Sequence, residues 1–435
     1  MPNHNPSFNS YEKISFNPEP PTILHLDLNS CFATVEQQAN PLLRGKPIAV
    51  AAYTTPNGCV LAPSIEAKRL GVTVGMRVRE ARLFCPTLIV LPPDPWKYRF
   101  VNRKLLAILR EYTADVKVKS IDEMVLNFTH APTLPKGMKT IAAEIKRRIR
   151  EEIGEWITVS VGIATNQFLA KTAAGIHKPD GLDVIDGTNF APLFKSLPVE
   201  KLCGIKLNNM ARLNRVGVFT AWNFYQAPLP TLTSAFQSIC GYYWYLRMHG
   251  YEIDDVTFGR KSFGNSYALP KFTEDRTTLS RLMLKLVQKT GRRLREAGYG
   301  AYGVHVTCTF ADYSTWHHGH RFKSSMYASE DIYKRAIGIL FSSPLRKPVR
   351  ILAVSCFNLE KRALSQLTLL TDEEKKRSRV AALDTINNRY GEFTVMPARL
   401  VGMQNTIIDR IAFGGVKELE ELLYREPLDV ADVGS

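Results

Sequence analysis

The sequence predicts an α+β fold, with two mixed modules of strands and helices separated by a helical stretch. Strand-like and helix-like patterns alternate over the first 186 residues but include a hairpin-like pair of strands, which a regular parallel barrel lacks. Short helical patterns then dominate from Phe194 to Leu246, and a second strand-and-helix pattern follows a polar segment. A chain of 435 residues is long enough for about three compact domains.

The elements of the first module follow from apolar periodicity. Ile141, Ile145 and Ile149 recur every fourth residue, which predicts an amphipathic helix, and ITVSVGI alternates like a strand. A short apolar run that ends in a carboxylate predicts a central strand. The predicted elements are strand 22–28, helix 30–37, strand 46–52, helices 65–71 and 100–112, a strand pair in 114–128, helix 138–153, strand 157–163 and a helix after it.

The rest of the chain contains a helix-hairpin-helix and a separate α+β module. LCGIKLNNMARLNRVGV has the pattern of a helix-hairpin-helix, whose glycine turn presents backbone amides to phosphate. YEIDDVTFGR is polar and predicts a linker. Beyond it we predict a basic helix over 277–297, strands over 304–310 and 351–357, and a loop or hairpin turn from Trp316 to His320.

Composition and charge narrow the class of protein. Hydrophobic residues make up 45% and charged residues 23%, which is typical of a globular protein. The 57 lysines and arginines exceed the 41 acids, so the formal net charge is +16. Such an excess indicates a polyanionic partner, most often nucleic acid, although a basic housekeeping enzyme is the alternative.

The cysteines and the leader predict the compartment. The seven cysteines include no CxxC pair, which argues against a disulfide framework and a cysteine zinc site and indicates a reducing compartment. The leader, rich in Asn, Ser and Pro, lacks the apolar core of a secretory signal, and the sequence contains no run of 18 apolar residues. We expect a cytoplasmic protein with no membrane partner.

Three acids at predicted strand ends carry the strongest chemical signal. Asp27 lies in HLDLN, and Asp122 and Glu123 lie in KSIDEM. Adjacent acids at a bent strand end can reach one cation, and magnesium takes hard oxygen ligands. Two such ions about 3.5–4 Å apart can activate a 3′-hydroxyl and stabilise a leaving pyrophosphate. From composition alone, however, an acid at a strand end is more often a turn cap.

Several segments resemble a known family in sequence and in order. The resemblance is to the Y-family (translesion) DNA polymerases and covers roughly Thr22 to Leu359. NGCVLAPSIEAKRLGV is similar to the UmuC-type, SOS-mutagenesis branch, whereas HKPDG is similar to the other bacterial lesion-bypass branch, so the subfamily stays open. The matching segments are LHLDLNSCFATVE, GKPIAVAA, NGCVLAPSIEAKRLGV, VKSIDEMVLNF, ITVSVGIATNQFLAKTAAGIHKPDG and KSFGNS.

The resemblance implies a right-hand polymerase and a function. The function is template-directed, low-fidelity DNA synthesis across damaged bases, as part of DNA repair. There are two alternatives. The protein could be a non-catalytic DNA-binding scaffold of a mutagenesis complex, or a palm-domain enzyme with another phosphoryl acceptor. The implied parts are a disordered leader (1–21), palm (22–30 and 95–186), fingers (31–94), helical thumb (187–252), linker (253–261), little finger (262–360) and tail (361–435).

The resemblance also implies the roles of individual site residues. Asp27, Asp122 and Glu123 would bind two magnesium ions, with the backbone carbonyl of Leu28 as a further ligand. The reaction is in-line attack of a primer 3′-oxygen on the α-phosphate of a deoxynucleoside triphosphate. Positioning and charge neutralisation perform the catalysis, and no protein nucleophile is needed.

Three further residues are expected in the nucleotide pocket. Phe32 occupies the place of the steric gate, an aromatic ring that clashes with a ribose 2′-hydroxyl; without the resemblance it would be a core phenylalanine. Lys68 and Lys178 are candidates for the triphosphate, since lysine suits a mobile phosphate chain. Many family members have Tyr and Arg at the positions of Ile65 and Lys68, so the usual phosphate clamp is altered here.

Two segments of the second half predict macromolecular partners. The basic helix predicts phosphate contacts along primer–template DNA through Lys285, Lys289, Arg292, Arg293 and Arg295. A five-residue peptide after the last predicted strand is similar to the peptides by which bacterial polymerases dock on the sliding clamp. An accessory mutagenesis subunit is a further possible partner. The clamp-binding residues would be Gln366, Leu367, Leu369 and Leu370.

Overall fold

The computed structural model describes residues 14–256, 259–342, 347–361, 371–403 and 406–407. These residues form two compact bodies that divide after Val256, within the segment predicted to be a linker. Each body combines β-sheet with helices, so the predicted α+β class is confirmed. The seven cysteines all lie in the described ranges and all are free.

The first body contains two sheets. A five-stranded sheet has the order β5-β6-β1-β7-β8, and a three-stranded sheet has the order β3-β2-β4. The central strand β1 pairs antiparallel with both β6 and β7, so its backbone is hydrogen-bonded along both edges. The strands are β1 (Ile23–Leu28), β2 (Ile48–Ala51), β3 (Val60–Pro63), β4 (Ile89–Leu91), β5 (Val116–Val118), β6 (Glu123–Asn127), β7 (Val159–Ala164) and β8 (Leu182–Ile185).

Helices cover the five-stranded sheet and continue as a helical cluster. The predicted amphipathic helix is confirmed as α5, whose Ile141, Ile145 and Ile149 are fully buried in the core. The helices are α1 (Cys31–Ala39), α2 (Ile65–Arg69), α3 (Val78–Phe84), α4 (Pro95–Arg110), α5 (Met138–Glu152), α6 (Gln167–Ala173), α7 (Phe190–Ser196), α8 (Leu207–Asn214), α9 (Ala221–Gln226), α10 (Leu229–Phe236) and α11 (Cys240–Met248).

The last eight residues of the predicted disordered leader, 14–21, are ordered. Phe16 is buried, and its ring stacks on Phe190 with centroids 4.1 Å apart. The backbone N–H of Asn17 donates to the carbonyl of His249 at 2.8 Å. The prediction of disorder over residues 1–21 is therefore wrong for residues 14–21, because one aromatic side chain anchors a segment whose composition is otherwise polar.

The second body is one antiparallel sheet with helices on one face. The sheet has the order β11-β10-β12-β9, and α12 and α13 pack against it. No helix of the described residues in either body combines the length and apolar character that crossing a membrane requires. The elements are β9 (Ser262–Thr273), α12 (Arg276–Glu296), β10 (Tyr299–Phe310), β11 (Thr315–Met326), α13 (Ser329–Phe341), β12 (Val349–Lys361) and α14 (Thr371–Tyr390).

The segment that contains Trp316 to His320 is part of edge strand β11 instead of a loop or hairpin turn. Its side chains are mostly exposed, so it lacks the alternating apolar residues that predict strands. Pairing with β10 over nearly its whole length decides its conformation, with Val306 opposite His318. An edge strand with polar, exposed side chains can be recognised from the sequence only when the strand with which it pairs is known.

The basic face of α12 is covered by residues that follow β12. Lys285 is 3% exposed, and its Nζ donates to the carbonyl oxygen of Met403 at 2.6 Å. The guanidinium of Arg295 binds both oxygens of Asp384 on α14, at 2.6 and 2.7 Å. The predicted phosphate contacts of this helix are therefore wrong for Lys285 and Arg295, because chain from the predicted tail already satisfies them.

Part of the predicted tail also completes the core of the second body. Leu400 is 1% exposed, and Met403 and Ile407 are buried with it among the side chains of this core. The compact body accordingly includes described residues as far as Ile407, beyond the predicted end of the little finger at residue 360.

The packing of Leu400 leads to a stability prediction. We expect Leu400→Ala to lower the free energy of unfolding by about 2–4 kcal/mol, because it leaves a cavity in a closed core. The neighbouring Val401, which is 61% exposed, provides the control, and Val401→Ala should change the free energy by less than about 0.5 kcal/mol. Chemical denaturation of both variants measures the difference. Equal stabilities would mean that the tail does not stabilise this body.

Candidate active site

Strand pairing brings the predicted acids together at one end of β1. Asp27 lies opposite Glu123 in the antiparallel pair of β1 and β6, and opposite residues project from the same face. The backbone N–H of Leu28 donates to the carbonyl oxygen of Asp122 at 2.9 Å. This bond holds the turn before β6 against the end of β1, so the three acids occupy adjoining positions.

Two lysines neutralise two of these acids. Nζ of Lys178 lies 2.6 Å from Oδ1 of Asp27. Nζ of Lys171, on α6, donates to both carboxylate oxygens of Glu123, at 2.8 and 2.6 Å. Lys171 was not selected in the sequence analysis. It lies on the helix that was predicted to follow β7, but no local pattern indicates its contact with Glu123.

Burial makes the carboxylates costly to ionise. Burial raises the pKa of Asp27, the ion pair with Lys178 opposes this shift, and the charge of Glu123 reinforces it. Burial also raises the pKa of Asp122, which the hydrogen bond from the Ser120 hydroxyl partly offsets. The charges of Asp27 and Glu123 raise the pKa of Asp122 further. Positive charge placed among the three acids would therefore be strongly favourable.

His25 is a site residue that the sequence analysis missed. It precedes Asp27 by two positions on β1, so alternation along the strand puts both side chains on one face, and this signal was present in the sequence. His25 is 2% exposed, and neither ring nitrogen has a hydrogen-bond partner among the described residues. Burial, followed by the charges of Lys171 and two other lysines, lowers its pKa to about 3. The imidazole is thus neutral.

Phe32 lies on α1 and is packed against α4. It is fully buried, and its ring stacks on Tyr98 with centroids 4.3 Å apart and an interplanar angle of 12°. The hydroxyl of Tyr98 donates to Oε1 of Glu36 at 2.9 Å, and Nζ of Lys97 lies 2.7 Å from the other oxygen of Glu36. The orientation of Phe32 is therefore set by a ring that is itself held by a buried carboxylate.

Lys68 and Lys178 lie close enough to the acids to interact with them. Partial desolvation and then the charge of Lys178 lower the pKa of Lys68, whereas Asp27 and Asp122 act in the opposite direction. The loop after Lys178 is held by Asn29, whose Oδ1 accepts from the N–H of Asp180 at 2.8 Å. Two cationic side chains thus face the acidic cluster from α2 and from the turn before β8.

The predicted clamp-binding residues Gln366, Leu367, Leu369 and Leu370 lie outside the described residues. They fall between the end of β12 at Lys361 and the start of α14 at Thr371.

Comparison with known proteins identifies the family. Residues 26–175 match the impB/mucB/samB family, and residues 260–369 match the C-terminal domain of that family. The chain is 32% identical over 382 residues to DNA polymerase IV of Pelotomaculum thermopropionicum, covering 86% of this chain and 94% of the relative. It is 31% identical over 378 residues to DNA polymerase IV 1 of Bacillus subtilis, covering 85% and 90%.

Solved structures agree with these relatives. A Y-family DNA polymerase chimera of Dbh and Dpo4 matches with a TM-score of 0.68 and 27% identity, over 77% of this chain and 98% of the other. An insertion ternary complex of Dbh DNA polymerase matches with a TM-score of 0.53 and 26% identity, over the same shares. The chain belongs to the Y-family of DNA polymerases.

The protein is therefore a DNA-directed DNA polymerase of the translesion type. Y-family relatives imply dependence on a divalent metal ion. The donor set of this chain fits such an ion, because Asp27 and Glu123 are hard oxygen ligands whose charges are now balanced by lysine ammonium groups.

Proposed function

We propose that this Y-family polymerase performs two-metal nucleotidyl transfer at the cluster of Asp27, Asp122 and Glu123. The observation that carries the proposal is the register of β1 and β6, in which Asp27 lies opposite Glu123 while Leu28 bonds to the backbone of Asp122. Magnesium would be held by the three carboxylates and by the backbone carbonyl of Leu28. When bound, two magnesium ions supply the charge that activates a primer 3′-hydroxyl and stabilises the leaving pyrophosphate.

The remaining site residues bind and orient the nucleotide. Lys178 and Lys68 compensate the charge of the triphosphate, and Lys178 exchanges its present partner Asp27 for phosphate oxygens. Phe32, held flat against Tyr98, lies under the sugar and excludes a 2′-hydroxyl. Together these side chains align the α-phosphate with the primer end, which supplies much of the rate enhancement.

The substrates are primer–template DNA and deoxynucleoside triphosphates. The net charge of +16 supports a polyanionic substrate, and solved Dbh relatives are an insertion ternary complex and a post-insertion binary complex. The seven free cysteines agree with synthesis in a reducing compartment.

Primer extension tests this function directly. We expect primer extension in magnesium on an undamaged template. We also expect extension past an abasic site, a bulky adduct or both. Extension should stop when EDTA is added. The templates should otherwise be identical, so that the damaged base is the single difference. Tight DNA binding without extension on any template would instead identify the protein as a non-catalytic scaffold of a mutagenesis complex.

We further propose that Gln366, Leu367, Leu369 and Leu370 dock on a sliding clamp. The glutamine supplies a hydrogen bond and the leucines fill an apolar pocket, where each anchor contributes roughly 1–2 kcal/mol or more. An accessory mutagenesis subunit is a second proposed partner, because one segment of the chain resembles the UmuC-type, SOS-mutagenesis branch of the family.

The clamp proposal leads to a kinetic prediction. Changing Leu369 and Leu370 together to alanine should reduce clamp-stimulated synthesis to the unstimulated level while leaving distributive synthesis on a short primer unchanged. Leu364→Ala, a few residues upstream, is the matched control and should retain stimulation. Equal stimulation of the double variant and the wild type would show that the peptide only links β12 to α14.

A further inference from the structure

The buried His25 side chain lies beside two of the three acids. One ligand atom each of His25, Asp27 and Glu123 can be chosen so that all three atoms lie within 4.8 Å of one another. Two ligand atoms on opposite sides of an ion with bonds of about 2.1 Å are about 4.2 Å apart. Neighbouring ligands of one ion are closer, about 3.0–3.4 Å apart, so the three side chains need to close by at most about 1.4–1.8 Å to share one cation, which changes of side-chain rotamer can supply.

The histidine has no other role that its contacts explain. Buried polar groups are nearly always hydrogen-bonded, yet both ring nitrogens of His25 lack a partner among the described residues. The ring nitrogen of imidazole that carries no hydrogen has a lone pair in the plane of the ring, and this nitrogen is a common metal ligand. The side chain is thus a buried, unpartnered donor directed at two carboxylates.

The two lysines do not block such a site. They now supply the positive charge that a cation would supply, with Lys171 on Glu123 and Lys178 on Asp27. Their side chains are 36% and 41% exposed, so both can swing into solvent when an ion takes their place.

We propose that His25, Asp27 and Glu123 form a mixed imidazole–carboxylate site that binds a divalent transition-metal ion in preference to magnesium. Magnesium takes oxygen ligands at near-ideal octahedral geometry and gains little from an imidazole. Affinities of mixed nitrogen and oxygen sites rise from Mn²⁺ through the later first-row ions. The site shares two carboxylates, Asp27 and Glu123, with the proposed catalytic centre. Binding of the transition-metal ion does not depend on the proposed function; only an effect of that ion on DNA synthesis rests on it.

Mn²⁺ is the appropriate probe because it is paramagnetic and replaces magnesium without a change of charge. We would titrate the full chain with Mn²⁺ in the absence of DNA and nucleotide, follow free Mn²⁺ by electron paramagnetic resonance, and compete with magnesium. In the wild type, pulsed electron paramagnetic resonance should show hyperfine coupling between Mn²⁺ and a nitrogen nucleus. This coupling should change when the histidines are labelled with ¹⁵N. His25→Leu should lose that coupling and bind Mn²⁺ at least about tenfold more weakly, with magnesium affinity changed less than about twofold.

The matched control is a pair of adjacent imidazoles in the second body. Nε2 of the half-buried His305 on β10 lies 3.3 Å from Nδ1 of the exposed His317 on β11, so this pair could also give a nitrogen signal. His317→Gln should leave the coupling and the Mn²⁺ affinity unchanged. If His25→Leu does not fold, as judged by circular dichroism, His25→Asn serves, and the ¹⁵N experiment on the wild type needs no variant.

The possible outcomes separate this inference from the proposed function. Mn²⁺ binding without nitrogen coupling, or equal loss of Mn²⁺ and magnesium affinity in His25→Leu, overturns the mixed site even if synthesis depends on the three acids. Nitrogen coupling that disappears with His25 supports the site even if an acid variant retains synthesis, in which case the catalytic assignment is the one that fails.

Discussion

Asp122→Ala should nearly abolish magnesium-dependent primer extension, with a fall in rate of at least about a hundredfold. The substitution removes one carboxylate that would stabilise charge in the transition state, and single groups of this kind contribute about 10²–10³ in rate. The fold should survive, because it is the backbone carbonyl of Asp122 that bonds to Leu28, and alanine keeps this carbonyl. Single-turnover extension measures the rate, and fluorescence anisotropy measures DNA binding, which should persist.

The matched control for Asp122 is an acid elsewhere on the same sheet. Asp115 precedes β5, its side chain is 44% exposed, and it lies 3.9 Å from Lys117. Asp115→Ala should extend primers at close to the wild-type rate. If Asp122→Ala were as active as this control, the assignment of the two-metal centre would be refuted.

Phe32→Ala should raise incorporation of ribonucleotides relative to deoxynucleotides by at least about tenfold. The ring proposed to lie under the sugar is removed, so a 2′-hydroxyl no longer meets it, whereas insertion of deoxynucleotides changes less. The quantity to compare is the ratio of the two kcat/KM values, because discrimination between substrates is defined by that ratio.

Stability must be measured beside this ratio, since Phe32 is fully buried. Loss of a buried phenylalanine costs about 3–5 kcal/mol, so Phe32→Leu is a milder second variant. Tyr98→Phe is the control: it removes the hydrogen bond to Glu36 but keeps the ring on which Phe32 stacks, so discrimination should be retained. A loss of stability with an unaltered ratio in Phe32→Ala and Phe32→Leu would make Phe32 a core residue only.

Elements with strong local patterns were predictable from the sequence. The apolar run before Asp27 is β1, and the paired strands around Asp122 are β5 and β6. The isoleucine repeat is α5, with its apolar face buried as predicted. In each case the side chains within one segment carry the whole signal, because a repeat of 2.0 or 3.6 residues puts the apolar ones on one face.

Elements and contacts that depend on a distant partner were not predictable. Strand β11 has mostly exposed side chains and exists because β10 offers it a backbone to pair with. Lys285 was expected to contact DNA phosphate, but it is buried and donates to the carbonyl oxygen of Met403, more than a hundred residues later. Charge in the sequence indicates what a side chain can bind, and only the fold decides whether solvent still reaches it.

The candidate site divides in the same way. The sequence alone determined the acids Asp27, Asp122 and Glu123, the strand ends on which they lie and, through resemblance, the polymerase family. Only the tertiary structure decided that Lys171 neutralises Glu123 and that Tyr98 supports Phe32. It also decided that His25 is buried with no hydrogen-bond partner in the described part of the chain. The physical reason is that residue type and local period are properties of one segment, whereas register, burial and desolvation arise when separate segments pack.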